Sequence, residues 1–400
     1  MNLFYQFQEI FVKFFLFFFK KKIILNVRKR KNFTKKVLIY YKTDPLVITS
    51  LTNTYSHTNN WEICKMINIL DSLDFCVDLI DRTCTIKDLS FIKDEYELFI
   101  ANSSGGSGKL YFHVAEKVPN SIKIFYATGA NPQKSYQSML SRYKYFETRN
   151  PMVNIEYRRL VKNYDDIDRF MENVDYIFSV GNDFTNSTYN KFNKKIYKIY
   201  LSTSPKINFF DSRIDLYHRE SNNFLFFAGN GNIVKGLDIL VESFSIIPEA
   251  NLFICTNKDN DFFRFYINNF NKCKNIKWIG FLNINGSKIK KLVLKCPFVI
   301  MPSASEASCT SIISSMKFGL IPVVTKEVDI SSDIGFLIER PEVEYIVELI
   351  KKLMSISKKK LFEKSKESFM ESHKYSQESF SNSFTKSIID VLKNKNNYGK

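Results

Sequence analysis

FVIMPSASEASCTSIISSMKFGLIPVVT, residues 298–325, decides how the rest of the chain is read. Phe298 to Met301 is an apolar run of strand length, and Pro302 to Ser308 is a loop of small residues carrying one carboxylate, Glu306. A short helix is expected from about Cys309 to Phe318, closed by Gly319 in a left-handed cap, before a second apolar strand, Ile321 to Val324. Strand, loop, helix and strand in this order form the repeating unit of a parallel α/β sheet. Ligands of such sheets sit at the carboxyl ends of strands, where a helix N-terminus offers free N–H groups to a phosphate. A lone acid beside a bound phosphate suits sugar hydroxyls better than a second anion, so the stretch points to a sugar nucleotide.

The pattern extends in both directions. Phe224 to Ala228, Asn251 to Cys255 and Ile276 to Ile279 read as strands; Gly229-Asn230-Gly231-Asn232 is a loop, and Lys235 opens a helix over Gly236 to Phe244. After Thr325 come a short strand, Gly335 to Ile338, and helices over about 342–355, 358–371 and 376–393, with 393–400 expected to fray. An earlier series of strands runs Val37–Tyr41, Cys76–Ile80, Leu98–Ala101, Ile122–Ala127, Asp175–Val180 and Lys195–Leu201. Helices are expected between them over Trp61–Leu73, Gln133–Glu147 and Asp183–Phe192, the last capped by Asp183. The fold class is therefore α/β, with two doubly wound Rossmann-like domains facing a cleft. Residues 1–36 read as a basic, aromatic extension, 37–202 as the first domain, 203–222 as a linker, 223–375 as the second domain and 376–400 as a final helix and tail.

The 400 residues suit two domains of ordinary size, and the 44% apolar content excludes a disordered chain. Of the net charge of +17, residues 1–36 carry +9, from ten Lys or Arg against one acid. The uninterrupted apolar run there, Phe14 to Phe19, is six residues, far short of the roughly 20 of a membrane-spanning helix. The segment from Leu3 to Leu25 is compatible with a membrane-interface contact, an uncleaved signal-like anchor or residues upstream of the true start. Its basic and aromatic character favours an anionic membrane surface over nucleic acid, for which no motif is present. Seven cysteines without a C-x-x-C pair read as buried free thiols of a reducing, cytoplasmic setting, with residence on the inner face of a membrane as an option.

Two glycine-rich loops also follow strands. SSGGSGK, residues 103–109, fails as a P-loop because Ser103 stands where its first Gly belongs and Leu110 follows the Lys. It reads instead as a Gly turn at a helix N-terminus facing the cleft, or as a purely structural turn; on the first reading Gly105 and Gly106 lie on the acceptor side together with Gly129 of the Gly129-Ala130-Asn131-Pro132 turn. His57 lies in the loop after the first strand; it could bind acceptor, support the transition state or order its loop by a hydrogen bond. Arg149, Arg158 and Arg159 fall in an irregular region and read as ordinary surface charges, with contact to an acidic acceptor or lipid headgroups as the alternative.

The second half resembles the nucleotide-sugar domain of GT-B glycosyltransferases, specifically the retaining group called glycosyltransferase family 4. The resemblance is carried by FAGNGNIVKGLDILVESF (227–244), NIKWIGF (275–281) and PSASEASCTSIISSMKFGLIPVVT (302–325), and covers about residues 224–340. The first half is similar to the N-terminal domains of bacterial polysaccharide-type members through SHTNNWE (56–62), GGSGKLYFHVAEK (105–117), YATGANP (126–132) and GNDFTNSTY (181–189). The resemblance implies transfer of a hexosyl-type sugar from a nucleotide-sugar donor to a glycan or lipid-linked acceptor, with retained configuration, no metal and no cofactor.

Residue by residue, the resemblance implies that Lys235 grips the donor diphosphate and that Glu306 contacts the donor sugar; with His57, placed by its loop beside the cleft, they are the expected catalytic group. Gly229, Asn230, Gly236, Ser305, Ser308, Cys309, Thr310, Ser311 and Ser314 complete the implied donor site. At two positions the chain departs from the family: Asn230 stands where an Arg is usual, and Ser314 where a second glutamate holds the ribose. Those departures leave a catalytically degenerate protein that binds a nucleotide sugar or a partner enzyme as the alternative.

Overall fold

The computed structural model describes residues 21–46, 58–102, 109–160, 166–203, 219–284 and 286–398. The first half is built on strands β1 (Ile23–Ile24), β2 (Lys35–Tyr41), β3 (Phe75–Asp81), β4 (Leu98–Ala101), β5 (Ile122–Ala127), β6 (Tyr176–Ser179) and β7 (Lys195–Lys198). They form one sheet in the order β1-β3-β2-β4-β5-β6-β7, parallel throughout except for β1, which runs antiparallel to β3. Its helices are α1 (Thr58–Ser72), α2 (Lys109–Lys117), α3 (Pro132–Arg149), α4 (Ile167–Asn173) and α5 (Asp183–Ser187). The inner strands are mostly apolar and almost wholly buried, as a sheet covered on two sides by helices requires.

The second half carries β8 (Asn223–Phe227), β9 (Asn251–Cys255), β10 (Ile276–Trp278), β11 (Phe298–Met301), β12 (Ile321–Val324) and β13 (Phe336–Leu337). All are parallel, in the order β10-β9-β8-β11-β12-β13. Counted from β8 this is 3-2-1-4-5-6, the dinucleotide-binding order, and its switch point lies between β8 and β11. Helices α6 (Leu237–Ile246), α7 (Asn260–Phe265), α8 (Ile267–Lys272), α9 (Ser287–Val293), α10 (Thr310–Met316), α11 (Val343–Met354), α12 (Lys358–Ser372) and α13 (Gln377–Tyr398) complete the chain. Gly319, at φ +70°, closes α10, and the buried Arg219 donates to the Phe318 and Gly319 carbonyls at that end. The two α/β halves expected from the sequence are thus present.

Several boundaries differ from expectation. Residues 1–20 lie outside the described residues, but 21–36 are no loose extension. Beyond β1, Asn26 donates its N–H to Asp78 Oδ1 at 2.7 Å, and Arg30 pairs with Asp71 at 2.6 Å and Asp74 at 2.5 Å. Most of the expected linker, 204–218, also lies outside the described residues.

The helix expected over Asp183–Phe192 breaks after Ser187, and Asp183 does not cap it. Asn182 holds the cap position, and the carboxylate serving that end is Asp329 of the second half, which accepts from the N–H groups of Asn182, Phe184 and Thr185. The C-terminus does not fray at 393, since α13 runs to Tyr398. Its apolar face crosses back to the first half: Phe380, Phe384, Ile388 and Val391 join the core containing Ile63, Ile67 and Phe178. Trp61 meets Phe380 edge-on at 5.7 Å, as Phe178 does Phe384 at 5.8 Å.

Candidate functional site

Two loops leave the carboxyl ends of the strands that flank the switch point. The loop after β8 folds tightly, with Lys235 donating its N–H to Gly231 O at 2.9 Å and Leu237 to Asn232 O at 2.9 Å. Lys235 therefore precedes α6 by two residues rather than opening it. Gly236, at φ +76°, is the cap, and a Cβ there would stand 2.5 Å from Pro302 O, so only glycine permits the close approach of the two loops. Ala304 N–H donates to Val234 O at 2.8 Å and locks them.

That lock sets Lys235 against Glu306. Their charged groups form an ion pair, with side chains only 7% and 14% exposed. Ser303 Oγ donates to the same Glu306 oxygen at 3.3 Å. Burial pushes the Glu306 carboxyl up, but the charges of Lys235 and Arg159 and the hydrogen bonds from Lys235 and Ser303 prevail, leaving it below the usual glutamate range. Glu306 is consequently a carboxylate at neutral pH, able to accept hydrogen bonds from hydroxyls but not to serve as a general acid. Nearby, Asn232 Nδ2 and Ser308 Oγ are buried without a partner among the described residues, an arrangement with capacity for further hydrogen bonds.

The other residues expected on the donor side are placed as follows. Gly229 and Asn230 are exposed at the loop tip, where Asn257 Nδ2 donates to Asn230 Oδ1 at 2.8 Å. Ser305 is half-buried beside Glu306. Cys309 is buried at the start of α10, with Sγ 3.3 Å from Ser311 Oγ. Thr310 faces the first half, its Oγ1 lying 3.5 Å from Thr58 Oγ1. Ser314, inside α10, is 3% exposed. On the acceptor side His57, Gly105 and Gly106 lie outside the described residues, although Thr58 follows His57 directly. Gly129 adjoins Ala130, whose N–H donates to Glu306 O at 3.4 Å. Where the halves meet, Ala130, Lys134, Phe184, Ser305, Glu306 and Glu327 line a crevice of about 180 Å3 of empty space. None of that space admits a water-sized sphere, so the crevice as it stands is closed to a small molecule.

Arg149, Arg158 and Arg159, expected to be surface charges, instead reach across to the second half. Arg149 pairs with Asp238 at 2.6 Å and Glu242 at 2.7 Å, and Arg158 with Asp259 at 3.1 Å and Asp261 at 3.3 Å. Arg159 Nη1 donates to Asn230 O at 3.3 Å. No periodicity marks these arginines, so the sequence offered no signal for their partners. Glu327, a crevice residue whose carboxyl burial pushes up, was likewise missed. Among the described residues no three His, Cys, Asp or Glu side chains converge as a metal site, and no helix is long and apolar enough to cross a membrane.

Two Rossmann-like sheets joined in this way make the GT-B architecture. Solved structures share this architecture. The chain matches the sucrose-phosphate synthase of Thermosynechococcus elongatus at 12% identity and a TM-score of 0.63, over 90% of this chain and 99% of that one. It matches HepE from Anabaena, determined in complex with UDP and glucose, at 13% identity and a TM-score of 0.52, over 90% and 100%. The N-terminal domain of Candida albicans trehalose-6-phosphate phosphatase matches at 8% identity and a TM-score of 0.56, over 91% and 98%. No curated protein matches the sequence. Residues 209–368 match the family model described as glycosyl transferases group 1.

Proposed function

We propose that the protein transfers a hexosyl-type sugar from a nucleotide-sugar donor to a glycan or lipid-linked acceptor, retaining anomeric configuration and using no metal or cofactor. The observation that carries this reading is the convergence of Lys235 and Glu306, 71 residues apart, at the switch point of the second sheet. In the transfer, the bond from the anomeric carbon to the diphosphate breaks as a bond to an acceptor oxygen forms, and the acceptor proton leaves to the diphosphate. Lys235 meets the negative charge growing on that leaving group, supplying stabilisation where charge develops. Glu306 accepts from the donor sugar's hydroxyls, and Gly229, Gly236, Ser305 and Ser308 shape the loops around them. His57 and the loop of Gly105 and Gly106 belong to the acceptor side with Gly129.

The tight crevice implies that the halves part to admit the donor. HepE is described with UDP and glucose, which makes a uridine diphosphate sugar the first donor to try. The basic residues of 1–36 would hold the protein on an anionic membrane face, in keeping with a role in polysaccharide synthesis. Incubation with UDP-, GDP- and ADP-sugars, with and without anionic vesicles, tests the proposal. Release of sugar or nucleotide from one donor is expected. Binding of a nucleotide without turnover of any donor would favour the degenerate binding protein instead.

A further inference from the structure

Arg159 occupies a left-handed conformation, φ +65°, that a non-glycine residue adopts only under constraint. The surroundings hold it there. Tyr157 stacks on Tyr143 at 4.4 Å, Tyr143 Oη donates to Arg158 O at 2.7 Å, and Arg158 is paired with Asp259 and Asp261 of the second half. The segment before Arg159 is thereby clamped onto the second half, and the Arg159 side chain is laid over the loop after β8. A Cβ on Gly231 would stand 2.5 Å from Arg159 Cδ, so the glycine leaves room for that side chain. Its guanidinium reaches Asn230 O, is exposed, and has no ion pair with a described carboxylate.

The result is a loop tip with two cations, Arg159 and Lys235, near a single carboxylate, Glu306, which both of them help to hold ionised. The neutral Asn230 adds no charge there. We propose that Arg159, although it comes from the first half, is the second cation of the diphosphate site and binds the donor's diphosphate together with Lys235. The proposal rests on the nucleotide-sugar reading above. It implies that the donor bridges the two halves, because Lys235 and Arg159 belong to different ones. A planar, five-donor guanidinium is suited to phosphate oxygens in a way that the asparagine at 230 is not.

Calorimetric titration with UDP, GDP and ADP, and with the matching monophosphates, tests this on the full-length protein and on Arg159→Gln. Loss of a charge-assisted contact should weaken binding of the preferred diphosphate by roughly 10–100-fold. Monophosphate affinity should move much less, and Asn230→Arg in the Arg159→Gln background should restore much of the loss. Equal diphosphate affinity in wild type and Arg159→Gln would overturn the proposal while leaving the donor reading intact. So would parallel losses for mono- and diphosphate, the mark of a disturbed loop. A wild-type protein that binds no nucleoside diphosphate at all would remove the donor reading and this inference with it.

Discussion

Two charge clusters lie around the junction of the halves, and they differ in balance. At the end of α3, Arg149 meets Asp238 and Glu242, while the buried Arg142 donates to Pro302 O and lies within electrostatic reach of Asp238. Carboxylates match the two guanidiniums at least one for one, Asp238 and Glu242 with Glu327 also within reach of Arg142; Asp238 is 0% exposed, and Tyr266 Oη and the Tyr145 ring add further contacts. Around Lys235 and Glu306 the count is two cations to one carboxylate, on loops that reach solvent at Asn230 and Arg159. A balanced, closed cluster is a strut. A cluster left with surplus positive charge has capacity for an anion, and the contrast separates the two roles although both involve buried ion pairs.

Substitutions should divide along that line. Arg149→Ala leaves Asp238 buried without its guanidinium partner, which should cost roughly 3–5 kcal/mol of stability. Thermal melting should show the loss, while nucleoside diphosphate affinity of the folded protein at low temperature stays close to wild type. Lys235→Met should do the reverse. Diphosphate binding should fall by about 10–100-fold, for a contact worth about 1.5–3 kcal/mol, with a smaller drop in melting temperature than Arg149→Ala causes. If Lys235→Met were the more destabilising and left binding intact, the two assignments would have to be exchanged.

A third, smaller effect concerns two carboxyls shifted in opposite directions. Glu62 on α1 is buried, and desolvation raises its pKa against hydrogen bonds from Ser202 and Tyr126 and the charge of Lys42. The folded chain therefore holds this proton more tightly than the unfolded chain. Stability falls as pH rises from the ordinary glutamate value of 4.5 through the raised folded value. Glu306 is the opposite case: its contribution is present above about 4.5 and is lost as pH drops through its depressed folded value. Glu62→Gln should thus melt higher, relative to wild type, at pH 8 than at pH 5. An equal difference at both pH values would remove Glu62 from the account.

The sheets were legible in the sequence to a degree that the junction was not. Leu98–Ala101, Ile122–Ala127, Asn251–Cys255, Phe298–Met301 and Ile321–Val324 have the expected ends because short, continuous apolar runs bounded by polar loops leave little choice in a parallel sheet. Lys235 and Glu306 were recognisable one at a time through their flanking motifs. Their pairing depends on the approach of two loops through Gly236, which no local pattern encodes. A final helix over 376–393 was visible, but its apolar face of Phe380, Phe384 and Ile388, and the half that this face covers, were not, because the covering is a matter of topology. β1, only two residues long and set in a basic segment, offered no periodicity, and Asp329 and Arg159 act across the junction from irregular backbone.

The claim at the centre is that Glu306, held ionised by Lys235, binds the donor sugar. Turnover of whichever nucleotide sugar proves to be the donor, measured for wild type and Glu306→Gln with nucleoside diphosphate affinity in parallel, tests it most directly. The expected result is a fall in turnover of roughly 10²–10³-fold, the scale of losing one transition-state contact, with diphosphate affinity largely retained. An unchanged turnover rate in Glu306→Gln would contradict the account.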